Sequence, residues 1–287
     1  MGFGSDKKKL PLGTKIAAGA ISGVMELFCF HPVDTVAKRL MANRTSESLN
    51  TVAFGPVYAE APLLTKWMSL YPGLHFATAY KVMQRSYKYG MQPAVYEYLQ
   101  KRVDQPKVLN QACAGAMVGA GEVMLLPFDV LKIRSQTNPE SLRGKGLVSL
   151  IVNENITLYR GWNWTIARNI PGSFALFGGN SLAKQSMGLD PSMSGQASLF
   201  QNAVASIFGA TCSITVAAPM DVIKTRIQQN SMNKVSGLKI VSELIREEGF
   251  SAFFKGLGPK IMVVGPKLVF SMTIAQSVLA WFVSRQN

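Results

Sequence analysis

Charged positions are spread so unevenly along this chain that the apolar stretches between them outline its helices. No charged residue occurs from Pro191 to Met220 or from Leu268 to Ser284, and Trp162 to Ala183 contains only Arg168. About 20 mainly apolar residues suffice to cross the hydrocarbon core of a bilayer. The pattern therefore predicts membrane helices instead of the core of a soluble domain. Read in the same way, the whole chain predicts six long helices over 12–41, 73–100, 109–137, 163–187, 198–229 and 258–284. They fall into three pairs, with boundaries expected at 1–105, 106–195 and 196–287. Polar connectors join the helices within each pair. Two amphipathic stretches in them, Leu147 to Val152 and Ile240 to Ile245, are expected to lie on the membrane surface.

One short pattern recurs three times and fixes the register of the pairs. It reads Pro32-Val-Asp34 with Lys38-Arg39 behind it, then Pro127-Phe-Asp129-Val-Leu-Lys132, then Pro219-Met-Asp221-Val-Ile-Lys224. The prolines lie 95 and 92 residues apart, a period that marks three copies of one structural unit. Each proline removes a backbone hydrogen bond, so Pro32, Pro127 and Pro219 are expected to bend their helices. A second mark follows each connector: Leu70-Tyr-Pro-Gly73, Leu158-Tyr-Arg-Gly161 and Phe253-Phe-Lys-Gly256. An interfacial ring, often a base, and then a tight turn suit the start of a membrane helix. Gly19-x-x-x-Gly23, Gly115-x-x-x-Gly119 and Gly209 provide small faces for close helix packing.

Composition narrows the function. Net charge is +14, although only 16% of residues are charged. Three partners fit such a balance: anionic lipid headgroups, an anionic substrate or nucleic acid. The bases recur near helix ends and inside apolar segments, not as one stripe, which disfavours nucleic acid. Cys29, Cys113 and Cys212 lie in apolar segments without a Cys-x-x-Cys, so neither a disulfide framework nor a metal site is expected. Met1 to Leu12 has no apolar core of a cleavable signal, and Asp6 breaks the myristoylation pattern that Met1-Gly2 begins. The sequence contains no phosphate loop, and His31 and His75 have no nucleophile or metal-ligand constellation around them. An enzyme is not expected, nor is any cofactor.

The threefold Pro-x-acid-x-x-base-x-base-x-Gln pattern resembles that of the mitochondrial carriers, and the resemblance covers essentially the whole chain. Repeat two matches through Arg134 and Gln136, and repeat three through Arg226 and Gln228. Repeat one departs: Ala37 holds the first basic position and Met41 the Gln position. The resemblance implies an all-α membrane protein of six tilted helices about a pseudo-threefold axis, with short surface helices and a central cavity opening alternately to each side. It also implies a matrix gate in which Asp34 pairs with Lys132 and Asp129 with Lys224. Asp221 needs a base where Ala37 stands, so either Lys38 reaches across or the gate has two links. On the cytoplasmic side the usual gate charges are replaced by Pro93, Ser181 with Lys184, and Gln276 with Leu279.

Alignment of the repeats from Gly73, Gly161 and Gly256 puts the family's central contact points at Tyr80-Lys81, Arg168-Asn169 and Val263. Lys81, Arg85 and Lys88 share one helix face, and an ionisable residue such as Arg168 inside an apolar run reads as functional. Several converging cations suit a polyphosphate, which arginine binds through a bidentate fork. Two readings stay open for the acids Glu26 and Glu122. They pair with Lys81 or Lys267 as structural glue, or they accept from N1–H and the exocyclic amine of guanine. Several stretches, among them Pro171 to Asn180 and Gly265 to Ser271, resemble guanine nucleotide carriers of the family. That resemblance implies inner-membrane exchange of GTP for GDP or GMP, with membrane lipids, cardiolipin included, around the protein; three repeats already enclose one cavity, so a monomer is expected to suffice. The alternatives are a carrier of another phosphorylated anion (an adenine nucleotide, coenzyme A or phosphate) and a membrane-anchored nucleic-acid binder.

Overall fold

A computed structural model describes residues 12–43, 48–55, 58–138, 142, 150, 152–153, 155–189, 198–229 and 236–284. Six long helical rods dominate it. They are α1 (Leu12–Ala42), α4 (Leu74–Arg102), the pair α5 (Lys107–Gly121) and α6 (Leu126–Thr137), α7 (Trp162–Ser186), α8 (Leu199–Gln229) and α10 (Leu257–Ser284). Shorter helices sit in the connectors: α2 (Leu49–Phe54), α3 (Leu63–Met68) and α9 (Gly237–Glu243). Helix α9 covers most of the surface stretch expected at Ile240 to Ile245. Most of the one expected at Leu147 to Val152 lies outside the described residues. Among the described residues, the rods at 16–42, 107–137, 200–229 and 250–282 are apolar and long enough to cross a membrane. Helices α4 and α7 are as long as a span needs but more polar, because they carry the interior cations.

The rods pack in chain order into a closed ring: α1 against α4, α4 against α5, α5 against α7, α7 against α8, α8 against α10, and α10 back on α1. Among the described residues, one end of that ring is stoppered. Helices α1, α6 and α8 all meet one another there, whereas α4, α7 and α10 have no comparable cross-ring packing among the described residues. The result is a cup whose floor lies beyond the three prolines.

Those prolines are accommodated in different ways. Pro32 and Pro219 lie inside continuous α1 and α8. Pro32 cannot bond the Phe28 carbonyl four residues back, and the Tyr71 hydroxyl donates to that carbonyl instead at 3.1 Å. In repeat two the turn before Pro127, Glu122–Leu125, winds as a 3-10 helix, and the Leu126 amide satisfies the Val123 carbonyl that Pro127 cannot reach. The rod is therefore split into α5 and α6, a break that the sequence reading missed.

Three glycines lock the repeats into one another. Gly73, Gly161 and Gly256 open α4, α7 and α10 with φ of 66°, 79° and 77°, a region that costs other L-residues about 1–2 kcal/mol. Each is also jammed against the next repeat. A Cβ on Gly73 would lie 1.8 Å from Ser135 Oγ, one on Gly161 2.8 Å from Ile227 Cγ2, and one on Gly256 2.6 Å from the Ala37 carbonyl. Repeat one thus seats on two, two on three and three on one. Close small-residue packing continues up the ring wall, where Cβ atoms at Gly115 and Gly119 would overlap Phe177 and Ser173. Gly161→Ala is expected to lower the melting temperature of the purified protein by a few degrees through both φ and the Ile227 contact. Melting unchanged within a degree contradicts this.

Candidate functional site

The site is built from charges that the ring encloses. Lys81, Arg85 and Lys88 come from α4, Arg168 from α7, and Lys260 and Lys267 from α10. Facing them are Glu26 and Asp34 of α1, Glu122 after α5, Asp129 of α6 and Asp221 of α8. With Lys38, Lys132 and Lys224 added, nine cations share this interior with five carboxylates. The six cations of α4, α7 and α10 keep between 17% and 27% of their side-chain surface accessible. They are therefore not sealed off, and charge at membrane depth is tolerated where it meets water or an opposite charge.

On the α1 side, Glu26 is the hub. Lys81 Nζ donates to its Oε1 at 2.8 Å and Arg85 Nη2 to its Oε2 at 2.5 Å, while Lys267 Nζ stands 3.6 Å away. Arg85 also donates to Ser271 Oγ at 3.2 Å, so α4, α1 and α10 are tied at one level. With both its oxygens engaged and only 2% of it exposed, Glu26 has the geometry of structural glue. Glu122 is bound differently. Lys88 Nζ lies 2.9 Å from its Oε1, an ion contact without hydrogen-bond alignment.

At the floor, Lys224 Nζ stands 2.6 Å from Asp129 Oδ2, the cross-helix link expected between α8 and α6. The other two links differ from expectation. Asp34 takes Lys267 of α10, at 3.0 Å, in place of Lys132. Lys132 rests over the Tyr80 ring, 5.6 Å from its centroid, a cation–π distance. Asp221, whose expected partner position is Ala37, receives Arg168 Nε at 2.7 Å and Lys260 Nζ at 2.6 Å. Lys38 does not take that role; it donates to Thr225 Oγ1 at 3.0 Å. The physical reason is reach. Buried alanine at position 37 offers no charge, so Asp221 is neutralised by cations from the even-numbered rods that face the hollow.

The remaining expected residues fall into place around these pairs. Asn169, buried, accepts from Arg168 Nη1 at 3.3 Å. Val263 is half-buried and apolar, so it supplies shape and no polar contact. Gln136 Nε2 donates to Thr35 Oγ1 at 3.3 Å, and the Gln136 backbone carbonyl accepts from Arg39 Nε at 3.0 Å. Gln228, one turn past Lys224 on α8, is wholly buried. Lys260 is the residue that sequence reasoning overlooked. It is a lone base four residues past Gly256 at the head of an apolar run, the same signal that singled out Arg168.

The three-repeat architecture is matched by the family model described as mitochondrial carrier protein, once over residues 8–107, again over 104–190 and again over 195–286. The chain belongs to the mitochondrial carrier family. Members of this family are transporters. Among similar proteins is mitochondrial GTP/GDP carrier protein 1 of Saccharomyces cerevisiae, 48% identical across 97% of each chain. An uncharacterized mitochondrial carrier of Schizosaccharomyces pombe is 47% identical across 96% of each. The mitochondrial citrate transporter D of Aspergillus niger is far more distant, 25% identical across 98% of each chain.

Beneath the floor, outside the spans, Glu248 clamps the last connector. Arg226 holds it through both nitrogens, at 2.5 and 2.8 Å, while also donating to the Met41 and Asn43 carbonyls; Lys255 adds a contact at 2.5 Å. Burial alone would raise the Glu248 carboxyl, but the bonds from Arg226 and Lys255 outweigh it and hold the group below its ordinary value. A depressed folded-state value stabilises the fold above the ordinary carboxylate range and loses that contribution as pH falls through the folded value. Glu248→Gln is therefore expected to lower the melting temperature at pH 7 and to flatten its decline below about pH 4.5. An unchanged acid limb in the variant contradicts this role.

Proposed function

We propose that this protein exchanges guanine nucleotides across the mitochondrial inner membrane, taking GTP one way and GDP or GMP the other by alternating access. The observation that carries the reading is the near full-length identity to a GTP/GDP carrier, 48% against 25% for the citrate transporter. The site supports it chemically. An interior with nine cations and five carboxylates has an excess of positive charge that suits a nucleoside polyphosphate better than a di- or tricarboxylate. Arginines at 85 and 168 add fork geometry for phosphate.

The contact residues in this reading are Tyr80, Lys81, Arg85, Lys88, Arg168, Asn169, Val263 and Lys267, and Lys260 joins them. Asp34, Asp129, Lys132, Asp221, Lys224, Gln136 and Gln228 form the matrix gate, which turns on bends at Pro32, Pro127 and Pro219. Of the two acids weighed for base recognition, Glu26 serves as glue. Glu122, whose Oε1 has only an unaligned ion contact, is the one that reads N1–H and the exocyclic amine. One chain encloses one hollow, so a monomer is the working unit, and anionic lipids, cardiolipin among them, surround its basic rim.

Reconstitution into liposomes tests this reading. Uptake of labelled GTP is expected to require internal GDP or GMP and to be competed weakly by ATP. Glu122→Gln is expected to erase most of the preference for GTP over ATP. Uptake into empty liposomes, or exchange of citrate in place of nucleotides, contradicts the proposal.

A further inference from the structure

The first of the three proline bends is held from outside in a way the other two are not. Three residues of α1 that bracket Pro32 all bond to one short segment, Ser69 to Pro72, just ahead of α4. Four residues before the proline, the Phe28 carbonyl accepts from the Tyr71 hydroxyl at 3.1 Å. Directly before it, fully buried His31 donates from Nε2 to the Pro72 carbonyl at 3.1 Å and stacks on the Tyr71 ring, with centroids 5.9 Å apart. A carbonyl only accepts, so Nε2 carries the proton. Two turns past the proline, Arg39 Nη2 donates to the Ser69 carbonyl at 3.0 Å. The segment is itself anchored, with Tyr71 edge-on to Trp67 and Gly73 against Ser135. The other repeats lack these groups. Leu126 and Ala218 stand where His31 does, and Phe254, in the place of Tyr71, has no hydroxyl. Tyr159 keeps one, but the Val123 carbonyl is already taken by the Leu126 amide. Arg226, the counterpart of Arg39, reaches Glu248 and the Met41 carbonyl of α1 instead of its own entry segment.

We propose that Ser69 to Pro72 is a splint across the Pro32 bend, with His31 and Tyr71 as positioning residues, and that it holds this bend at one angle throughout exchange while the bends at Pro127 and Pro219 move. The inference rests on the reading of the chain as an alternating-access carrier and specifies which of its bends work. A change of bend angle alters the spacing between residues on either side of a proline. Here those residues are bonded to the same four-residue segment, so a change must break at least one bond. Phe28 is half exposed on the outer wall, and in lipid no water replaces a lost partner of its carbonyl. Asp34, two residues past Pro32, lies inside the splinted stretch and meets Lys267 from a fixed position. Pro127 and Pro219 have no such strap among the described residues. At Pro127 the preceding turn is already rewound as a 3-10 helix, a common mark of a hinge.

A reversible bridge across each bend tests this in the full-length protein, with Cys29, Cys113 and Cys212 replaced by alanine. One protein carries Phe28→Cys with Tyr71→Cys. The other carries Thr215→Cys with Phe254→Cys, the same register in repeat three. Each is bridged in detergent by a short bifunctional methanethiosulfonate, reconstituted into liposomes and assayed for GTP/GDP exchange before bridging, after it and after reduction. Bridging 28 to 71 is expected to leave most of the exchange rate. Bridging 215 to 254 is expected to cut it by about tenfold or more, because a conformational step is blocked, with recovery on reduction. Loss of exchange on bridging 28 to 71, or its retention on bridging 215 to 254, overturns the proposal. Should either pair be inactive before bridging, single variants decide. Tyr71→Phe and His31→Leu are expected to lower the maximal exchange rate about fivefold, what one neutral hydrogen bond is commonly worth, with GTP affinity by calorimetric titration unchanged. His31→Gln, whose amide places an N–H near the position of Nε2, is expected to keep the rate. An unchanged rate in Tyr71→Phe, or equal rates in His31→Gln and His31→Leu, overturns the proposal. A failure of the guanine reading shows separately, as exchange of another anion in place of GTP by the unbridged protein, and the same comparison is then run with that anion.

Discussion

A charge inside a membrane protein has to meet an opposite charge or water, and here the carboxylate on each of three rods finds its cation on a different rod. Asp129 is neutralised from α8, Asp221 from α7 and α10, and Asp34 from α10. Stripping one partner from such a pair typically costs several kcal/mol. The helices therefore cannot separate at the floor unless something else supplies the missing charge. In the proposed exchange cycle, closure and the preference for anions both follow from this one constraint.

The rest of the fold exists to bring those charges within reach. Lipid gives apolar helices little reason to associate, so contact is made by small residues that let backbones approach. Gly115 and Gly119 do this against α7, and Gly209 against the backbone of the same rod. The positive-φ glycines then start each even-numbered rod at a fixed point against the neighbouring repeat. Symmetry of the frame does not impose symmetry on the charges. Repeat one lacks the gate base and the Gln of the other two, and the cost shows in the partners that Asp221 takes from the hollow.

Much of this was legible in the sequence because it depends on local pattern. Apolar run lengths gave the six rods to within a residue or two, and the repeated proline motif located the floor. Lys81, Arg85 and Arg168 stood out as bases where apolar residues were expected. What the sequence could not reveal was pairing across the ring, since that depends on how far each rod is rotated and how long each side chain reaches. The resemblance pointed to Lys132 as the partner of Asp34, and nothing in the sequence signalled that Lys267 reaches it instead. The 3-10 break at Glu122–Leu125 was hidden for another reason. Prolines 32, 127 and 219 look alike in sequence, but the carbonyl that Pro32 releases is reached by the Tyr71 hydroxyl, whereas the one before Pro127 is reached by tightening of its own turn.

The central claim is that an ion pair between Asp129 and Lys224 closes the floor. The most direct measurement is GTP/GDP exchange in liposomes by Asp129→Lys, by Lys224→Asp and by the double variant in which the two charges are swapped. Each single variant places like charges 2.6 Å apart in the parent geometry and is expected to lose exchange, whereas the swap restores the attraction and a substantial part of the rate. A folded double variant no more active than either single one would contradict the account.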